Sequence, residues 1–265
     1  RRMKRISMIK EDDICEHYLV EDKNSKKLYD EIIFNQSINN YTKTTSKQII
    51  HNLFSLLQIN HPLIQKYIEF NENKIDEKSY LFFLTEYNNQ RNLREIFENS
   101  ETKMNDTQKL INIYGIALAM SYLHSKEILH YELNPMNILE DEQFHPKIIN
   151  FGINNIFEKK EMKIFNTLEY SSLYYAPEFY KDNKYDKSSE VYAFSLIIYE
   201  IITNRKPFEE DTLNEHLKNI NEKKRPILND DIGEPYCNLI GRCWSEKPEE
   251  RPTFETIVKE LKENT

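Results

Sequence analysis

The chain has 265 residues, 39% of them hydrophobic, enough to bury a core the size of one large domain or two closely associated lobes. Its 44 acidic and 36 basic residues are mixed along the sequence and leave a formal net charge of −8, which excludes a nucleic-acid or anionic-membrane surface as the main partner. Three scattered cysteines, Cys15, Cys237 and Cys243, exclude a disulfide framework and a zinc site, so a reducing, cytoplasmic setting is expected. The longest apolar runs, such as Phe194 to Ile202, fall far short of the ~20 residues of a membrane span. A basic start, Arg1-Arg2-Met3-Lys4-Arg5, is unlike a signal peptide and reads as a segment cut from a longer protein, or as a trimmed start.

In chain order, alternating segments at His17 to Val20 and Leu28 to Phe34 predict strands, Ser46 to Gln58 a helix, and Tyr80 to Thr85 another strand. This is a small, mostly β lobe with one helix. After Glu86-Tyr87-Asn88-Asn89 the period becomes helical. Asp106 to His124 carries the apolar residues Leu110, Ile113, Tyr114, Ala117, Leu118 and Leu123 in a helical pattern, with Asp106 as the expected cap. A second strong helix is predicted over Ser188 to Thr203, and shorter ones over Thr212 to Asn221, Tyr236 to Cys243 and Thr253 to Leu261.

Between the two strong helices lies His130-Tyr131-Glu132-Leu133-Asn134-Pro135-Met136-Asn137-Ile138-Leu139, which resembles the protein-kinase catalytic loop H-R-D-L-x-x-x-N. It is followed by Asn150-Phe151-Gly152 in the place of D-F-G, by Ala176-Pro177-Glu178 in the place of A-P-E, and by a helix opening Ser189-Glu190-Val191. Cys243-Trp244 and Arg251-Pro252 are similar to the C-W…R-P end of tyrosine-kinase-like domains. His61-Pro62 resembles the link after the regulatory helix, and Leu84-Thr85-Glu86-Tyr87 the hinge strand with Thr85 as gatekeeper. The order and spacing of these landmarks imply an α+β, bilobal protein-kinase-like fold in one domain over 1–265, with a small lobe to about 86, a hinge at about 86–90 and a large lobe over about 91–265.

What the resemblance implies about chemistry is loss. Kinases cover ATP phosphates with a Gly-rich loop, because residues without Cβ let backbone N–H groups approach the phosphates. This chain has 4 glycines, the first of them Gly115, and the region where the loop would lie, Lys10-Glu11-Asp12-Asp13-Ile14-Cys15, offers three carboxylates that repel a triphosphate. Counted back from Pro62, the regulatory-helix glutamate falls on Asn52 and the strand lysine near Ile33, with Glu31 where kinases have the small residue that roofs adenine. The resemblance thus implies a degenerate nucleotide pocket at Glu31, Ile33, Asn52, Thr85, Glu86, Tyr87, Leu139 and Asn150.

In the loop, Glu132 stands for the catalytic aspartate, one methylene longer, and misplacement by ~1 Å can cost on the order of 100-fold. Tyr131 replaces the arginine that gathers a phosphorylated activation segment, and Asn134 replaces a phosphate-steadying cation. Asn137 is kept, but Asn150 replaces the chelating aspartate, so both metal positions are vestigial. Scaffold residues are retained: His130 and Phe151 of the stacked spine, with Leu56 and Tyr67 as its upper members, Gly152, the ion pair Glu178 with Arg251, and Glu190 as the cap of the catalytic loop. Tyr170, Tyr174 and Tyr175 are phosphorylation sites, a docking surface, or residues packed against the large lobe. The expected function is a pseudokinase that needs no cofactor and binds a protein partner, such as an active kinase or other domains of its own polypeptide. Its alternative is a weak kinase using Glu132 and a loosely held, metal-independent ATP.

Overall fold

A computed structural model describes residues 2–11, 15–75, 77–99, 103–153, 170–208, 212–229 and 232–263. Of the expected phosphate-loop region, Asp12, Asp13 and Ile14 lie outside these described residues. The chain forms two compact units, Arg1–Asn89 and Gln90–Thr265, with the boundary inside the expected hinge.

The first unit is a five-stranded antiparallel sheet in the order β1-β2-β3-β5-β4, built from β1 Met3–Glu11, β2 Cys15–Asp22, β3 Leu28–Ser37, β4 Tyr67–Ile75 and β5 Lys78–Glu86. Helix α1, Lys43–Leu57, starts where the Thr42 side chain accepts the N–H of Thr45, and it buries Ile49, Leu53 and Leu56 at i, i+4 and i+7 spacing. It packs beside β4, with the rings of Phe54 and Phe70 edge to face at 5.6 Å. Strands β1 and β4 were not expected from the sequence pattern. They are the two edges of the sheet, and β1 is exposed along nearly its whole length, so burial imposes no alternation on its residues.

The second unit is mostly helical: α2 Leu93–Glu98, α3 Asp106–Ser125, α4 Pro177–Asp182, α5 Lys187–Thr203, α6 Leu213–Asn221, α7 Glu234–Cys243 and α8 Phe254–Glu263. A small sheet, β6 Arg91–Asn92, β7 Ile138–Glu140 and β8 Pro146–Ile148, carries the loop between α3 and β8. The cap of α3 is Asn105 rather than Asp106: Asn105 and Gln108 exchange side-chain to backbone bonds, both 2.9 Å, in a capping box. Asp186 caps α5, which is buried continuously from Ser189 to Ile201, as its apolar sequence requires of a helix enclosed on all sides. Around it, α3 packs on α8 and α5 on α7.

Candidate functional site

Strand register decides which small-unit residues stand beside Thr85. Directly opposed residues of an antiparallel pair share a face. Asp30 opposes Thr85 and Ile32 opposes Phe83, whereas Glu31 opposes Leu84 and Ile33 opposes Phe82. Glu31 and Ile33 therefore lie on the face away from Thr85, which corrects their expected place in a common pocket, and Asp30 and Ile32 are its neighbours instead. Glu31 is buried and takes Arg5 Nε at 2.8 Å, while the Arg5 guanidinium lies 4.1 Å from the centre of the Tyr18 ring. The position opposite Phe83 is apolar too, so no lysine occupies either register.

Thr85 is fully buried and accepts a hydrogen bond from Gln65 Nε2 at 3.1 Å; the same nitrogen donates to the Glu86 carbonyl at 3.3 Å. Tyr87 follows, half-buried. Asn52 lies beside the buried stripe of α1, and its side-chain oxygen accepts from Gln48 Nε2 at 2.9 Å, one turn away. Leu56 and Tyr67 are buried in the same unit, and Tyr67 packs on Phe83 with ring centres 4.7 Å apart.

In the second unit the loop from His130 to Leu139 is drawn together by its own polar groups. His130 is fully buried, and burial keeps its imidazole below the ordinary pKa, hence neutral at pH 7. Its Nδ1 accepts the Glu132 N–H at 3.2 Å, and its carbonyl accepts the Gly152 N–H at 3.2 Å, tying Asn150-Phe151-Gly152 to the loop. The Asn134 side chain caps the short turn Pro135–Asn137 by accepting the Met136 N–H at 2.9 Å. Asn137 donates to the Glu132 carbonyl at 2.9 Å, and its side-chain oxygen accepts from Asn150 Nδ2 at 3.0 Å. Leu139 and Phe151 are buried beneath. Asn150 and Gly152 sit in left-handed conformations, φ 59° and 73°.

Tyr131 is also left-handed, at φ 72°, a conformation that costs a bulky residue ~1–3 kcal/mol unless its surroundings enforce it. Glu190 enforces it. The fully buried carboxylate takes the Tyr131 N–H at 2.8 Å and the Tyr185 hydroxyl at 3.0 Å on one oxygen, and sits 2.7 Å from His124 Nε2 on the other. Tyr131 then stacks on Tyr185 with ring centres 5.3 Å apart, and Tyr185 meets Tyr175 edge to face at 6.2 Å. An aromatic contact stands where the resemblance would put an arginine.

Glu178 and Arg251 form a bidentate pair at 2.7 and 2.9 Å, with Ser189 Oγ donating to Glu178 at 3.0 Å and Arg251 also reaching the carbonyls of Ser188 and Ser245. Tyr174 and Tyr175 are buried, and the Tyr174 hydroxyl donates to Glu200 and lies 2.7 Å from the Tyr170 hydroxyl. Burial pushes the Glu200 carboxyl up to about 7. Two buried carboxylates, Glu200 and Glu140, were not singled out from the sequence, nor were His124 and Tyr185 as partners of Glu190; nothing local marks Glu140, Glu200 or His124, since their partners Asn112, Tyr174 and Glu190 lie far along the chain.

A β-sheet unit with one helix, a helical unit, and a loop held as His130 to Gly152 is held define a protein-kinase-like domain. Residues 14–261 match the sequence pattern of the family described as protein tyrosine and serine/threonine kinase, and the chain belongs to that family. It is 33% identical over 218 residues to serine/threonine-protein kinase 12 of Arabidopsis thaliana, covering 80% of this chain and 46% of the relative. An RGS domain-containing serine/threonine-protein kinase of Dictyostelium discoideum is 33% identical over 181 residues, 68% of this chain and 16% of the relative. A dual specificity protein kinase of the same organism is 30% identical over 239 residues, 90% of this chain and 17% of the relative. The chain thus spans less than half the length of each of these curated relatives. Among the described residues no helix is long and apolar enough to cross a membrane.

Proposed function

We propose that this kinase-family domain is a pseudokinase, a non-catalytic module of the tyrosine-kinase-like type that binds and positions other proteins and does not use Mg-ATP. The observation that carries this reading is the hydrogen bond from Asn150 to Asn137, 3.0 Å, between the two positions where the family's metal ligands fall. Mg²⁺ is held through carboxylates and substrate phosphates; here two neutral amides satisfy one another, and the residues present do not suit the ion. Further support comes from the absence of any glycine before Gly115 and of a lysine at Ile32 or Ile33 on β3. The well-knit pair of Glu178 and Arg251 supports a fold maintained for its surface. Its partner is then a protein, such as an active kinase or another part of the same polypeptide, in a reducing, cytoplasmic compartment that suits three cysteines outside any disulfide.

The second reading, a weak ATP-dependent protein kinase with Glu132 as base, is favoured by the retained carboxylate and by the kinase names of the relatives. Phosphate transfer from labelled ATP to a generic protein substrate, with Mg²⁺ or Mn²⁺, separates the two. Transfer that disappears with Glu132→Gln establishes the kinase; none above background, together with a co-purifying protein partner, supports the module.

A further inference from the structure

On the face of the small sheet that carries Thr85, three titratable side chains stand in line. Cys15 and His17 are two apart on β2, so alternation brings both to one face, and Asp30 reaches that face from β3, opposite Leu19. Cys15 Sγ lies 3.4 Å from His17 Nε2, and His17 Nδ1 lies 3.0 Å from Asp30 Oδ2. Cys15 is 2% exposed and His17 5%, and the second carboxylate oxygen of Asp30 is buried without a hydrogen-bond partner. Tyr67 borders the group: burial first, then the nearby Cys15 and Asp30, holds its hydroxyl well above the usual range.

We propose that Cys15 is a peroxide-sensitive modification site whose thiol proton is taken by His17, with Asp30 holding the ring. The proposal is independent of whether the domain transfers phosphate. A carboxylate on Nδ1 fixes the imidazole tautomer and leaves Nε2 to accept the thiol proton. The thiolate is the nucleophile. It attacks one oxygen of hydrogen peroxide, forming an S–O bond as the O–O bond breaks; sulfur is oxidised and the peroxide reduced. The departing hydroxide takes the proton from the His17 imidazolium and leaves as water, and Cys15 remains as sulfenic acid. The other thiols serve as internal standards: burial pushes Cys243 up to about 12, with no such base, and Cys237 is half-buried.

The test treats the intact chain with dilute hydrogen peroxide at pH 7 beside a 1,3-dione that traps sulfenic acid, and locates the adduct by peptide mass spectrometry. The Cys15 adduct is expected to exceed that of the similarly buried Cys243 by about tenfold, and His17→Gln to lower it by about the same factor. Iodoacetamide rates on the unmodified chain need no variant: the Cys15 rate levels off at a lower pH than that of Cys237. Labelling of Cys15 no greater than that of Cys243, a Cys15 rate that rises with pH in parallel with Cys237, or an undiminished adduct in folded His17→Gln overturns the proposal.

Discussion

Asn150 gives a side-chain hydrogen to the side-chain oxygen of Asn137 across 3.0 Å, and Asn137 gives one of its own to the Glu132 carbonyl at 2.9 Å. Both side chains are thereby engaged in holding the loop together. Asn150→Asp removes the donor and leaves Asn137 short of a partner, at a cost of ~1–2 kcal/mol in metal-free buffer. Urea unfolding reads this loss, and millimolar Mg²⁺ should recover part of it in Asn150→Asp while leaving the parent chain unmoved. Equal stability of the two chains without metal would count against the bond.

Glu178 and Arg251 are 8% and 6% exposed, so neither charge is compensated by water. Removing one partner by Arg251→Met strands the other, and the expected destabilisation is ~3–5 kcal/mol. The double replacement, Glu178→Gln with Arg251→Met, should cost less than the sum of the single changes, because no unpaired charge remains. Denaturant midpoints of the four chains test this; simple additivity contradicts the pairing.

Stability should fall as pH rises from about 6.5, the ordinary histidine value above which buried neutral His130 no longer opposes the trend, to about 8. Burial, the dominant cause at both sites, raises Glu140 to about 8 and Glu200 to about 7 from an ordinary 4.5. A carboxyl with a raised folded pKa binds its proton more tightly in the fold, so its contribution is complete below the unfolded value and is lost as pH passes through the folded one. Glu140→Gln keeps a neutral group beside Asn112 and should flatten the decline at its alkaline end, where the parent loses up to ~1.4 kcal/mol per pH unit from one such group. A parent chain whose denaturant midpoint is level across this range contradicts the assignment.

Tyr174 and Tyr175 are 2% and 5% exposed, and Tyr170 is held between Glu200 and the Arg94 guanidinium, 4.2 Å from its ring centre. Tyr174 and Tyr175 are packed into the interior, while Tyr170 is half-buried. An added tyrosine kinase should leave Tyr174 and Tyr175 unmodified in the folded chain and modify them once urea has unfolded it, as phosphopeptide mapping would report. Stoichiometric phosphate on either in the native chain would reverse this view.

Much of the second unit is legible in the sequence because its signals are local and periodic: α3 and α5 follow from apolar spacing, and the landmarks from His130 to Arg251 keep their order. Less of the small unit is legible. Strands β1 and β4 are sheet edges, and β1 is so exposed that no alternation is imposed on it. Spacing from Pro62 placed Glu31 and Ile33 toward Thr85, yet a slip of one residue turns every side chain of a strand to the other face, and only the pairing of Asp30 with Thr85 fixes it. The Tyr131 stack on Tyr185 joins residues far apart in sequence, and no local pattern announces it.

The central claim, that the chain has given up Mg-ATP, is tested most directly by a thermal-shift titration with ATP in the presence and absence of Mg²⁺ and Mn²⁺. A ligand at 100 times its dissociation constant stabilises a fold by ~2.7 kcal/mol, well within reach of the method. The account predicts an unfolding midpoint unmoved by millimolar nucleotide with either metal. A saturable rise requiring both nucleotide and metal would contradict it.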